Sequence, residues 1–171
     1  ETGTYKGATV LANSKFFKNL YTIEICEKAY NFSKKKAMQK NANNINFFLG
    51  DSAVEMPKIV TLLKSPTVFF LDGHITDNGS GFTGAGIVDC PLLEELRDIV
   101  KHHKEKAVII VDDTRLLGKG KNDGTANCDW SNVTEDSIKK AVDSKRLVKL
   151  YFTEGAKGHP NDRIVVVLDK L

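Results

Sequence analysis

No apolar run in this sequence approaches the roughly 20 residues that a membrane span requires, and its start has no resemblance to a signal peptide. Cysteine is scarce. Cys26, Cys90 and Cys128 are widely separated and odd in number, which supplies neither a disulfide framework nor a metal-ligand cluster. That usage predicts a reducing, cytoplasmic setting. Excess charge is lacking too: 25 Lys and Arg against 22 Asp and Glu leave a formal net charge of +3. A nucleic-acid partner calls for a concentrated basic stripe, and Lys34, Lys35 and Lys36 read instead as the solvated face of a helix. Internal repeats are absent, as is the G-x-G-x-x-G of dinucleotide enzymes, because Tyr5 and Gly7 stand where that pattern needs other residues. A nicotinamide-dependent oxidoreductase therefore ranks well behind other readings.

The composition present is that of a globular protein, 41% hydrophobic and 27% charged over 171 residues, enough for one domain, 1–171, with a proper core. The chain begins without Met, inside a glycine-bearing stretch, Glu1-Thr-Gly-Thr-Tyr-Lys-Gly7. It reads as a piece of a longer protein whose upstream strand forms the centre of a sheet, which leaves adjoining domains or a homo-oligomer open. A glycine turn leading into a helix suits a nucleotide-like cofactor, because the helix N-terminus offers free N–H groups. Taken alone, the stretch is equally a turn without a ligand.

Strand and helix signals then alternate. Helices are expected at 8–20, 27–40, 52–63, 91–102 and 134–144, and strands at 21–26, 45–49, 67–71, 107–111, 147–153 and 163–169. The runs Thr67-Val-Phe-Phe-Leu71 and Ala107-Val-Ile-Ile-Val111 have the continuous apolar character of buried parallel strands. The gap between the last two strands is too short for a crossover helix, so they form an antiparallel hairpin. The fold class is α/β: a three-layer, Rossmann-like, mostly parallel sheet closed by a C-terminal hairpin. Ligands in such sheets bind beyond the C-terminal strand ends, where Glu1, Glu24, Asp51, Asp72, Asp112 and Asp113 fall. Six carboxylates on one rim repel one another unless cations or hydrogen-bond donors lie between them.

At this point the residues resemble the class I S-adenosylmethionine-dependent methyltransferases over nearly the whole chain. The E-x-G-x-x-x-G of Glu1, Gly3 and Gly7 is similar to their first motif, and the resemblance implies that Glu1, Gly3, Thr4, Tyr5 and Gly7 lie at the cofactor. Glu24 resembles the acidic residue that accepts from both ribose hydroxyls. Asp51 and Ser52 resemble the segment beside the adenine, and Asp72 closes the set. Phe70-Leu-Asp-Gly-His74, Asp89-Cys-Pro-Leu-Leu-Glu-Glu-Leu96 and Val111-Asp-Asp-Thr-Arg115 resemble a group of small methyltransferase-like proteins similar to macrocin-type sugar O-methyltransferases. That likeness implies a divalent metal, with Mg²⁺ the expected ion, on Asp72, Asp112 and Asp113, and a sugar or glycan acceptor. His74 departs from the macrocin pattern, which has an acidic residue there.

The implied function is metal-assisted methylation of a sugar hydroxyl by S-adenosylmethionine. An alcohol is a weak nucleophile at neutral pH, so a hard cation can act as Lewis acid while Asp72 or His74 takes the proton. A non-catalytic methyltransferase-like domain of a larger glycan-modifying protein is the other reading. The Asp pair also suits simple turn capping, and His74 a structural hydrogen bond. The glycine-rich loop 75–86 is expected to act as a lid over the acceptor, with Phe82 a stacking surface. Trp130 is either a sugar platform or a packing anchor, and Arg115 reads as a surface ion pair. His102, His103 and His159 are assigned to solvent.

Overall fold

The computed structural model describes residues 1–75, 81–121 and 128–171, the Lys157 side chain excepted. Among these residues five α-helices and six strands follow in order: α1 (Ala8–Asn13), β1 (Leu20–Glu24), α2 (Glu27–Gln39), β2 (Ile45–Leu49), α3 (Ser52–Leu62), β3 (Thr67–Leu71), α4 (Leu92–His102), β4 (Ala107–Val111), α5 (Glu135–Val142), β5 (Leu147–Thr153) and β6 (Arg163–Leu168). Short 3-10 turns lie at Thr114–Leu116 and Ala156–Gly158. No described helix is long and apolar enough to cross a membrane.

β1 and β2 pair in parallel, as do β3 and β4, whereas β6 runs antiparallel to both β4 and β5. Thr2 joins the two pieces: it bridges Ile23 on one side and Leu71 on the other, donating its N–H to Phe70 O at 3.0 Å. The order is therefore β2-β1-Thr2-β3-β4-β6-β5, with Thr2 in the position expected for a central strand. From β1 the chain steps outward through α2 to β2, then back across the centre through α3 to β3. Right-handed crossovers put α2 and α3 on opposite faces, which makes three layers. The reversal at Thr2 is a topological switch point.

The core lies beneath α4 and α5, where Leu96, Ile99, Ile109, Ile138, Ile164 and Val166 are fully buried. Thr134 accepts from the Ser137 N–H and Ser137 answers to the Thr134 N–H, a capping box that fixes the start of α5. Arg146 is buried, and its guanidinium donates to the carbonyls of Val100, His103, Glu105 and Asp169, tying the end of α4 to the end of β6.

Two expectations are corrected. The first helix stops at Asn13 rather than Leu20. Asn44 donates to the carbonyls of Ser14 and Phe17 at 2.7 and 2.8 Å, and Phe16, 71% exposed, gains no burial that would extend the helix. His103 is not at the surface. It continues the Leu96–Ile99 stripe of α4 by one turn, is fully buried, and meets the Phe69 ring edge-on at 5.3 Å. Its imidazole pKa is lowered, chiefly by burial.

Candidate active site

The site grows from the switch point. Gly3 has φ +78°, and a Cβ there would lie 2.3 Å from the Asp72 carbonyl oxygen. Only glycine allows this left-handed turn to press against the end of β3. Gly7, at φ 71°, starts α1. Between the ends of β1, β2 and β3 opens a cavity of about 230 Å³. Of the residues expected at a cofactor, Gly3, Tyr5, Glu24, Asp51, Ser52 and Asp72 line it, as do His74 and Asp113. Glu1, Thr4, Gly7 and Asp112 lie outside its lining. The Thr4 hydroxyl turns inward to Thr22 Oγ1 at 2.5 Å, and Glu1 accepts from Thr22 at 2.8 Å. Burial raises the Glu1 carboxyl above its ordinary range.

Each strand-end carboxylate meets a different answer to the repulsion among them. Glu24 accepts the Tyr5 and Cys26 N–H groups at 2.7 and 2.8 Å, one on each oxygen. Asp51 caps α3 through Ala53 N–H at 2.9 Å and takes the Ile87 N–H at 2.7 Å. Asp112 is held by Arg163 through both oxygens, at 2.9 and 3.2 Å. Asp113, itself at φ 59°, pairs with Arg115. Among the described residues Asp72 has only the His74 imidazole, 3.9 Å away. Burial, then the charges of Asp113, Asp112 and Glu1, raise its carboxyl to about 8, opposed by Arg163.

His74 stands between two of these groups, with Nδ1 3.9 Å from Asp72 and Nε2 3.1 Å from Asp113 Oδ2. The second approach lacks hydrogen-bond alignment, and Nε2 has no hydrogen-bond partner among the described residues. Burial lowers the imidazole pKa, with Arg115 acting in the same sense and Asp113 against it. Asp72, His74 and Asp113 each offer a ligand atom, all within 4.8 Å of one another. Asp112 is grouped instead with Asp113 and Asp162. A cation held at the first group would therefore take an imidazole nitrogen beside two carboxylates, whereas Asp112 is turned onto its arginine.

Four residues were missed by sequence reasoning. Glu95 is 1% exposed. Its Oε2 receives the Thr2 hydroxyl at 3.4 Å, and its Oε1 lies under Gly73 without a hydrogen-bond partner among the described residues. Burial raises this carboxyl to about 7. Its signal was available: Glu95 shares the α4 face of Leu92, Leu96 and Ile99, where a charge is out of place. Asp162 accepts from the Arg115 N–H and guanidinium at 3.0 and 2.5 Å, fastening the β4 end to the β6 approach; nothing in its local pattern distinguished it. Arg163 opens an apolar strand, and nothing in the spacing marks its guanidinium as the partner of Asp112. Asp89 lines the cavity and pairs with Lys121 at 2.6 Å.

Trp130 is a packing anchor, 3% exposed, its ring edge-on to His74 at 5.1 Å. Of the expected lid, 76–80 lies outside the described residues. The portion from Gly81 onward crosses the Glu24–Asp51 end of the cavity. A Cβ on Gly84 would touch Ile25 at 2.7 Å, and one on Gly86 would touch Asp51 at 2.5 Å. At about 230 Å³ the cavity is smaller than the roughly 300 Å³ at which ligand pockets begin.

No family model and no curated protein matches the sequence. Solved structures do match in fold. The O-methyltransferase TomG from Streptomyces achromogenes, involved in tomaymycin synthesis and solved with SAM, is 17% identical; the match covers 99% of this chain and 71% of that one, at a TM-score of 0.66. An O-methyltransferase from Bacillus cereus in complex with SAH is 17% identical over 98% of this chain and 72% of that one, also at 0.66. An rRNA methylase from Streptococcus thermophilus matches at 12% identity, 98% and 82% coverage and a TM-score of 0.52. The chain has the fold these methyltransferases share.

Proposed function

We propose that the protein is an S-adenosylmethionine-dependent O-methyltransferase acting on a hydroxyl of a sugar or glycan, with a divalent cation assisting. One observation carries the reading: Glu24 and Asp72 face a single cavity from either side of Gly3, at the switch point of this fold. The lining of the cavity, rather than its present volume, suits the cofactor. Each Glu24 oxygen accepts one backbone N–H and keeps lone-pair capacity for a ribose hydroxyl. Adenine beside Asp51 requires the Ile87 N–H to yield its place. When bound, S-adenosylmethionine supplies a sulfonium methyl group for displacement by the acceptor oxygen.

Asp72 is the group that takes the hydroxyl proton. In the cation-free site a carboxyl raised to about 8 is far more basic than an ordinary aspartate, close to the optimum for a base working near neutrality; a cation bound to it would lower that value and would itself ease the hydroxyl's deprotonation. Asp113 and His74 orient it, and Trp130 keeps water from the buried side of the imidazole. The same three side chains, Asp72, His74 and Asp113, suit a divalent cation as Lewis acid. The sugar acceptor is supported by the resemblance of the Asp72–His74 and Asp112–Arg115 blocks to macrocin-type enzymes.

A thermal-shift titration with S-adenosylhomocysteine, with and without Mg²⁺, tests this. At a hundredfold excess over Kd, stabilisation of about 2.7 kcal/mol is expected, or about 5–11 °C for a chain of this size. Mg²⁺ should add a further rise that Asp72→Asn removes. No shift at saturating S-adenosylhomocysteine would overturn the enzyme reading in favour of a non-catalytic domain. A shift with no Mg²⁺ dependence would remove the cation and leave Asp72 as the base.

A further inference from the structure

Charge changes sign between the floor of the cavity and its rim. Glu24, Asp51 and Asp113 make the floor acidic. At the rim, the Phe82 ring lines the cavity and is braced edge-on by Tyr5 and Phe32, at centroid distances of 6.0 and 5.5 Å. Two ammonium groups converge on that ring: Lys28 Nζ lies 4.7 Å and Lys6 Nζ 5.3 Å from its centroid. They are thus no farther apart than those two distances laid end to end. Neither makes an ion pair with a carboxylate among the described residues.

Two like charges within that span repel, and an exposed cation–π contact offsets only about 0.5–1 kcal/mol for each. An anion set between them turns the repulsion into two attractions, and the acidic floor turns that anion away from the methyl-transfer end. A ligand with neutral hydroxyls at one end and an anionic group at the other is therefore oriented by the field, anion at the Phe82 rim and hydroxyls toward the acidic floor. We propose that Lys6, Lys28 and Phe82 form a subsite for an anionic group of the acceptor, so that the substrate is a sugar bearing a phosphate or a carboxylate. This rests on the methyltransferase reading above. A nucleic acid is the poorer fit: it needs a basic groove tracking several phosphates, whereas here two lysines meet at one ring above an acidic mouth and the net charge is only +3.

The test follows the Phe82 ring resonances by NMR, in the presence of S-adenosylhomocysteine, during titration with glucose 1-phosphate, glucuronic acid and glucose. The first two separate phosphate from carboxylate as the anion. At least one of them should bind about tenfold more tightly than glucose, and Lys6→Gln and Lys28→Gln should each weaken it about three- to tenfold, as should added salt. Equal affinity for all three sugars, or unaltered binding in both variants, overturns the proposal. A parallel loss of S-adenosylhomocysteine affinity in the variants also overturns it, because the lysines would then serve the cofactor's own carboxylate. Tighter binding of a short single-stranded RNA, weakened by Lys34→Gln and Lys35→Gln, would replace it with a nucleic-acid surface. If charged sugars bind while S-adenosylhomocysteine does not, the subsite stands and the enzyme reading falls.

Discussion

Replacing Glu95 by Gln should stabilise the protein at neutral pH and above while leaving its stability in acid unchanged. Glu95 is 1% exposed, and burial raises its carboxyl from an ordinary 4.5 to about 7, opposed in part by hydrogen bonds from Ser52 and Thr2. Below the lower value the group is protonated in both the folded and the unfolded chain, and the near-isosteric amide changes little. Between the two values the unfolded chain ionises while the folded chain keeps its proton, so stability falls as pH rises. Above about 7 both states are ionised and the full penalty of the buried carboxylate is present. At about 1.4 kcal/mol per tenfold change in proton affinity, that interval corresponds to about 3 kcal/mol, or about 6–12 °C in the unfolding midpoint. Glu95→Gln removes the ionisation and hence the penalty. Urea denaturation of both proteins in acid, near pH 6 and near pH 8 reads the difference directly, because every other titrating group is common to the pair. A stability difference that stays flat across this range, or that grows in favour of Glu, would refute the argument and mean that the buried carboxyl is reached by water or by a cation.

Two further substitutions test the frame around the site. Gly3→Ala places a Cβ 2.3 Å from the Asp72 carbonyl oxygen at a φ of +78°; a loss of about 3 kcal/mol in urea is expected, with loss of the S-adenosylhomocysteine shift, and an unchanged midpoint would show that the switch-point contact is dispensable. Arg146→Met keeps the apolar stem but frees the carbonyls of Val100, His103, Glu105 and Asp169; about 3 kcal/mol should be lost, with amide exchange accelerated at the end of α4, and uniform protection there would refute the tie.

Elements whose cause is local were legible in the chain. β3 and β4 announced themselves as continuous apolar runs, the start of α5 by Thr134, and the antiparallel pair of β5 and β6 by a connection too short for a crossover. The glycines before α1 and the carboxylates at strand ends marked one rim because strand polarity places all such ends together. The first helix was overextended because its stop comes from Asn44, about thirty residues away, and local propensity carries no trace of that hydrogen bond. His103 was misassigned for a related reason: the helix ends before it, but the buried stripe does not.

What the sequence determined by itself is the alternation of elements, the polarity of the sheet and therefore the edge at which any site must lie. Only the tertiary structure decided how the charges on that edge are shared. Arg163 reaches Asp112 from a strand fifty residues onward, Arg115 turns to Asp113 and Asp162, and backbone N–H groups satisfy Glu24 and Asp51. Asp72 is left with the His74 imidazole 3.9 Å away and Arg163 as the charge that opposes its rise, and its carboxyl is raised to about 8. Which of several like residues remains uncompensated depends on distances across the sheet. Composition and spacing along the chain do not contain them.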